Sequence, residues 1–368
     1  MIIAVNTRVL SADNSYTSLI QNSLLQLAAA NSSIAFYFIT ETNFVQPLQW
    51  PSNVQLLVIP QQSTSPLLCK FWYNYNLPAA LRKIKAQLLL HIDGSISVRT
   101  KIPQYTFVND LNFLQQPAWY AGSYTRFAKS AAVAYLNRSA KVLVPSQHLK
   151  TQVMAQCKVP AAKITIWQPL LLPSFLPASW QKKETVKESY TAGREYFFCQ
   201  AALHPRYYLL NLLKAFSLFK KRQKSNMQLV LAVPEAPANN EFVQSFSNYK
   251  YRNDVQLLQA PTQAVLADIT AAAYASINLS PLYADISHLL HAQQCAVPVI
   301  AGNYVAAVDM LQETALFTNE QAVDQLAEKM MLLYKDEPLR NQLIQKGLAN
   351  TQTNAQSQLE QLQQYLLL

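Results

Sequence analysis

The chain reads as an α/β protein of two parallel-sheet domains, and three observations predict it. Its 368 residues exceed one ordinary domain. It opens with an apolar strand, an amphipathic helix and a second apolar strand, the βαβ order of a parallel sheet. Charge also divides it: residues 1–175 hold 14 Lys and Arg against 4 Asp and Glu, whereas residues 176–368 hold 16 against 16. The whole net charge of +10 therefore lies in the first half, which places a domain division near the middle.

Half of the residues are hydrophobic, enough for large cores, yet no apolar run reaches the roughly 18 residues of a membrane-spanning helix. The start, MIIAVNTRVL, reads as a first strand and not as a signal peptide. Cys69, Cys157, Cys199 and Cys295 are scattered, as buried thiols of a reducing cytoplasm would be. His288 and His291 lie three apart, but no His-Glu-x-x-His or cysteine pair supports a metal, and the five histidines form no ligand set. Nucleophile elbow, P-loop, dinucleotide fingerprint and nucleic-acid motifs are absent. Only five glycines occur, so a site needing several backbones close to a phosphate lacks material. The basic first half suits anionic lipid headgroups or an anionic acceptor; a basic face without a dedicated partner explains it equally.

In chain order, residues 2–5 predict a strand, 8–18 a polar loop and 19–30 a helix with apolar positions at a 3.6-residue period. Strands follow at 34–39 and 54–59. Residues 66–86 form an aromatic helical stretch with a proline interruption, its rings lining an acceptor groove or packing in the core. Residues 88–92 make a strand, 118–139 a basic amphipathic helix, 142–145 a strand, 146–156 a helix and 163–166 a strand. The Pro-rich 169–177 and the charged QKKETVKES run read as an interdomain linker that permits hinge motion. Beyond it come strands near 196, at 227–233 and 255–258, a helix at 262–273, a strand at 275–279 and a helix at about 287–295. A strand at 297–301 and helices at 321–334, 337–348 and 356–368 close the chain.

Residues 279–302, LSPLYADISHLLHAQQCAVPVIAG, carry a loop that enters a helix from a strand's carboxyl end, where anionic ligands bind in open α/β sheets. This stretch resembles the donor-sugar loop of the nucleotide-sugar glycosyltransferases of the GT-B fold. The family pattern there is a small residue, E-G-F-G, three or four residues, E-A-M-A-x-G and P-V-I-A. Ser280, Leu290, Ala292, Cys295 and residues 298–301 keep the frame. Tyr283 and His291 stand where the two glutamates belong, Ala284-Asp285-Ile286 replaces Gly-Phe-Gly, and Ala296 replaces the last Gly. Residues 196–222 resemble the family's Y-V-G-R-x-x-P-R-K-N-L-x-x-L-L-x-A-F, keeping Pro205, Arg206, Leu209, Leu213, Ala215 and Phe216. Ala201, Ala202 and Tyr207 replace its Gly, Arg and Lys, the last two being the cations that hold the donor diphosphate. In the first half, Asn109-Asp110-Leu111 resembles the His-Asp-Leu of bacterial family-4 glycosyltransferases. Residues 12–15 fill the place of a Gly-x-Gly, and Ser146 and Lys150 match V-S-E-F-S-K.

The resemblance implies two Rossmann-like domains whose parallel sheets face a cleft, with a last helix crossing back. The boundaries expected are 1–172 for the acceptor side, 173–195 for the linker, 196–352 for the nucleotide-sugar side and 353–368 for the returning helix. It implies a retaining transfer of a hexosyl group from a nucleotide sugar to a cell-surface glycan or lipid-linked acceptor. No metal or other cofactor is implied. The thiols place the protein in the cytoplasm, and the basic first half would allow peripheral contact with the inner membrane face. Arg206, Tyr207, Tyr283, Asp285, Ser287 and His291 fall on the donor side; Asp13, Asn14, Asp93, Asn109 and Asp110 fall on the acceptor side. Asp110 and His291 are the catalytic candidates, although Asp110 equally caps the next turn and His291 equally packs. Because so many donor-side positions are substituted, a non-catalytic homologue that binds a glycan or pairs with an active enzyme stands as the alternative.

Overall fold

A computed structural model describes residues 1–7, 15–41, 50–60, 66–92, 94–119, 122–235, 240–352 and 355–367. The chain forms two units, one of Met1–Leu170 with Gln356–Leu368 and the other of Leu171–Ala355.

In the first unit the strands are β1 (Ile2–Asn6), β2 (Ala35–Thr40), β3 (Val54–Val58), β4 (Leu88–His91), β5 (Gln104–Phe107), β6 (Lys141–Val144) and β7 (Ile164–Ile166). They form one sheet in the order β3-β2-β1-β4-β5-β6-β7, and each pairing is parallel. Strands of such a sheet are covered on both faces, so they read as nearly unbroken apolar runs. Ile3, Val5, Phe36, Phe38, Leu89 and Leu90 are accordingly buried. The helix Ser15–Ala30 starts inside the expected polar loop and turns Leu19, Ile20, Leu24, Leu27 and Ala28 inward.

The aromatic stretch does not break at its proline. It runs as helix Pro66–Phe71, a π-helical turn Trp72–Asn76 and helix Leu77–Lys83. Pro78 has no N–H to give to the preceding turn, and the wider turn just before it absorbs that loss. The Leu77 N–H reaches back five residues to the Trp72 carbonyl. Trp72, Tyr73, Leu77 and Leu81 pack in a cluster with Ala4, Ile39, Ile59 and Leu89, and the Trp72 indole donates to the Ile59 carbonyl at 3.1 Å. The basic helix spans Gly122–Arg138. The last helix, Ala355–Leu367, buries Leu362 and Leu366 in this unit. There the Trp167 indole donates to the Gln358 carbonyl at 2.9 Å and the Lys141 ammonium to the Tyr365 carbonyl at 3.0 Å.

The second unit holds β8 (Tyr196–Gln200), β9 (Gln228–Val233), β10 (Val255–Gln259), β11 (Ala275–Asn278), β12 (Val299–Gly302) and β13 (Ala315–Thr318), in the parallel order β10-β9-β8-β11-β12-β13. Helix Leu209–Gln223 buries Leu212, Leu213, Phe216 and Phe219 with Met330 and Leu333 of helix Val323–Lys335. The charged run read as a linker is a helix of this unit, Trp180–Thr191. The Ser179 hydroxyl accepts the Lys182 N–H at 3.3 Å as its cap, and Val186 and Thr191 are buried. Lys187 is buried beside them and pairs with Glu195 at 2.7 Å, while the other charges of the helix face solvent. Helix Glu241–Ser247, helix Val305–Leu311 and strand β13 are elements that the sequence did not predict.

Candidate functional site

In an open parallel sheet the ligand crevice lies beyond the carboxyl ends of the strands where their order reverses. In the second unit that point lies between β8 and β11. The turn after β8 contains a short 3₁₀ helix, Pro205–Tyr207, and the turn after β11 leads into helix Tyr283–Gln294. The two turns are joined by hydrogen bonds. The Asn278 amide donates to the Gln200 carbonyl at 3.2 Å, and its Oδ1 accepts the Ser280 N–H at 2.8 Å.

On this base sits a buried cluster. Asp285, in the first turn of its helix, is 4% exposed. Its Oδ1 accepts the Tyr207 hydroxyl at 3.1 Å and its Oδ2 accepts the Ser280 hydroxyl at 2.5 Å. Ser280 Oγ in turn accepts the Leu282 N–H at 3.3 Å. A carboxylate in the first turn is favoured by the helix's positive end, which here has no side-chain N-cap. Burial, and then the Asp285 charge, push the Tyr207 phenol well above its ordinary range, so it stays a donor. Arg206 lies beside this pair, its guanidinium carbon 5.4 Å from the Tyr207 ring centre. Its Nε–H is buried and has no acceptor among the described residues. A buried unpaired donor of this kind costs about 1–3 kcal/mol.

The helix starts at Tyr283, four residues before the expected 287, and this corrects the position of His291. Instead of lying in the first turn, His291 sits about 12 Å along the axis, at ~1.5 Å per residue. It faces another part of the second unit. Its Nε2 accepts the Leu172 N–H at 3.2 Å, and its ring stacks on Phe175 with centroids 4.0 Å apart and 15° between planes. Burial, and then the neighbouring His288, push its pKa down to about 3, so it is neutral. Burial alone takes His288 down to about 4, and both of its ring nitrogens are buried without a partner among the described residues. Ser287, two residues after Asp285, is fully buried. The side chain of Tyr283 lies outside the described residues.

A further polar set borders the carboxyl ends of β12 and β13, and sequence reasoning missed it. Burial raises the Tyr304 pKa, as do the adjacent Tyr208 and Glu320 side chains. Gly302 makes room for it, because a Cβ there would lie 2.8 Å from the Tyr304 ring and 3.1 Å from the Leu279 carbonyl. Tyr208 sits in the left-handed region at φ 51°, an uncommon conformation for a bulky residue.

In the first unit the order reverses between β1 and β4. There the Asn6 amide donates to the Tyr73 hydroxyl at 3.2 Å and lies 3.4 Å from His91 Nδ1. Gln104 Oε1 accepts the Ser97 N–H at 2.9 Å and lies 2.9 Å from His91 Nε2, which assigns the His91 proton to Nε2. His91 closes an apolar strand, and a polar residue in that place is the one sequence signal that pointed here. Of the acceptor-side residues, Asp110 Oδ1 accepts the Asn112 N–H at 2.9 Å, and Asn109 Oδ1 is buried without a donor among the described residues. Asp13, Asn14 and Asp93 lie outside the described residues, as does most of the 12–15 loop. No group of three or more His, Cys, Asp or Glu among the described residues is placed to hold a metal ion.

Comparison with known proteins agrees with this architecture. Residues 181–349 match the family model of the glycosyl transferases group 1. Sucrose-phosphate synthase from Thermosynechococcus elongatus superposes with a TM-score of 0.80 at 15% identity, covering 99% of this chain and 98% of that one. WaaG, a glycosyltransferase involved in lipopolysaccharide biosynthesis, gives 0.73 at 12%, with 96% of each chain covered. Anabaena HepE in complex with UDP-glucose gives 0.75 at 13%, covering 100% of this chain and 99% of that one. The fold is GT-B, with a Rossmann-like parallel sheet in each unit. The second unit carries the glycosyl transferases group 1 match. No curated protein sequence matches the chain.

Proposed function

We propose that the protein transfers a hexosyl group from a nucleotide sugar to a glycan or lipid-linked acceptor, with retention, and that its second unit takes the donor. The observation that carries this reading is Arg206. It is a cation at the reversal point of the second sheet, next to Tyr207, which bonds the first turn of helix Tyr283–Gln294, and its buried Nε–H lacks an acceptor among the described residues. A diphosphate leaving group would supply that acceptor, and the guanidinium would take up the charge that develops as the glycosidic bond breaks. Tyr207 and Ser280 orient the first turn through Asp285, and Tyr304 with Glu320 offers hydroxyl and carboxylate partners for sugar hydroxyls. Asn109 and Asp110 are the acceptor-side candidates, and Asp110 the catalytic one. The reading needs no metal, so activity is expected to survive EDTA. Its supports are the family match over the second unit and a neighbour of the same fold solved with UDP-glucose.

A second reading, a non-catalytic homologue that binds a glycan, is favoured by Asp285, whose charge already occupies the positive helix end a diphosphate would use. Calorimetric titration with UDP, GDP and their sugars separates the two. Saturable binding of one nucleotide, lost in Arg206→Ala, supports transfer, whereas no binding up to millimolar concentration removes it.

A further inference from the structure

The helix 66–83 of the first unit is apolar on both sides. Its inner side is the packed cluster of Trp72, Tyr73, Leu77 and Leu81. Its outer side presents Leu68, Phe71 and Tyr75, at 51, 53 and 45% exposure, at helical spacing, followed by exposed Ala79 and Arg82. Phe71 and Tyr75 stack with centroids 4.8 Å apart and 20° between planes. The stack continues into the loop after β4, where the Arg99 guanidinium lies 4.2 Å from the Tyr75 ring centre. That loop is tied to the helix by the Val98 N–H, which donates to Asn74 Oδ1 at 2.9 Å, and Val98 is itself 41% exposed. A surface helix normally turns a polar side to water, so an ordered apolar ridge there marks a surface that something covers.

The charge around the ridge names the occupant. Residues 66–101 contain six Lys and Arg and one acidic residue, Asp93. Arg82, Lys83, Lys85, Arg99 and Lys101 are exposed, and none is in a described ion pair. Protruding aliphatic and aromatic side chains bordered by cations form the pattern of a helix lying in the plane of an anionic bilayer. The apolar side enters the boundary between headgroups and acyl chains, and the cations meet lipid phosphate. A sugar would use the ring faces, but the Tyr75 ring is already engaged by the stacked Phe71 and by the Arg99 guanidinium. Leu68 and Val98 offer a sugar nothing. Among the described residues no helix is long and apolar enough to cross a membrane, so this contact would be peripheral.

We propose that the outer face of helix 66–83, with the loop carrying Val98 and Arg99, docks the full chain on an anionic lipid bilayer. The inference does not depend on nucleotide-sugar transfer. The test is co-sedimentation of the full chain with phosphatidylcholine vesicles, with and without phosphatidylglycerol, at low and raised salt. Binding is expected only to the anionic vesicles and is expected to weaken with salt. Leu68→Ser with Phe71→Ser, and separately Arg99→Glu with Lys101→Glu, should each lower it ~10-fold or more. These side chains are exposed, so an unchanged circular dichroism melt will show that the variants fold. Binding to neither vesicle type, equal binding to both, or anionic binding that ignores both double variants would overturn the proposal. So would self-association abolished by Leu68→Ser with Phe71→Ser in the absence of vesicle binding, which would give the face to a second copy of the chain. Nucleotide titration of the same samples reads the donor site independently, so either proposal can fail without the other.

Discussion

Arg206 and Asp285 set the charge of the donor-side cluster, and they oppose each other. One cation and one buried carboxylate flank Tyr207, so the described cluster is close to neutral where a diphosphate would bring two or more negative charges. Replacing Asp285 with Asn keeps one oxygen, for the Tyr207 hydroxyl, turns the other into an NH2 that can donate to the Ser280 oxygen, and removes the charge. It is expected to raise UDP affinity ~10-fold or more, because a charge a few ångströms away in a partly buried site is worth at least ~1.4 kcal/mol. Arg206→Ala should lower the same affinity ~10- to 100-fold, the worth of one hydrogen bond to a charged group. Calorimetry on the two variants checks both, and an Asp285→Asn affinity equal to or below that of the parent would refute the charge argument. His291 belongs to stability. Its pKa is about 3 in the folded chain and ordinary when unfolded, so the unfolded state binds the extra proton as the pH falls. Its contribution is complete above about pH 6.5 and is lost progressively down to about pH 3. Thermal melts of the parent should therefore fall through this range, and those of His291→Gln should fall less steeply.

At the scale of elements, capping and packing decide where helices begin and whether a charged run is a linker. The helix Trp180–Thr191 holds its N-terminus through Ser179, and Ser179→Ala is expected to cost ~1 kcal/mol in denaturant unfolding of the second unit. A flexible linker would show no change. The same element explains a limit of sequence reading. QKKETVKES contains few apolar residues, and only Val186, Lys187 and Thr191 turn inward, too few to register as amphipathic. The helix carrying Asp285 was read four residues short for a related reason: its first turn lacks a side-chain N-cap and follows Pro281 and Leu282, so nothing local marked its start. That shift moved His291 from the site to the packing against Leu172 and Phe175.

At the scale of the molecule, the last helix belongs to the first unit although it follows the whole of the second in sequence. Leu362 is fully buried there, so Leu362→Ala should destabilise that unit by ~2–5 kcal/mol. Urea unfolding followed by Trp167, whose indole donates to this helix, would report it. The two-domain α/β class, the parallel sheets and the GT-B fold were legible in the sequence, because apolar strands alternating with helical periods need only local order to be recognised. The places of Arg206 and Tyr207 in the turn after β8 were legible too, through the frame around them. The tertiary structure alone decided that Asp285 receives the Tyr207 and Ser280 hydroxyls, that His291 turns to Phe175, and that Phe71 and Tyr75 face outward while Trp72 and Tyr73 face inward. Each of these joins residues distant in the chain or depends on which side of a helix meets the sheet. Local propensity is blind to both, and only packing resolves them.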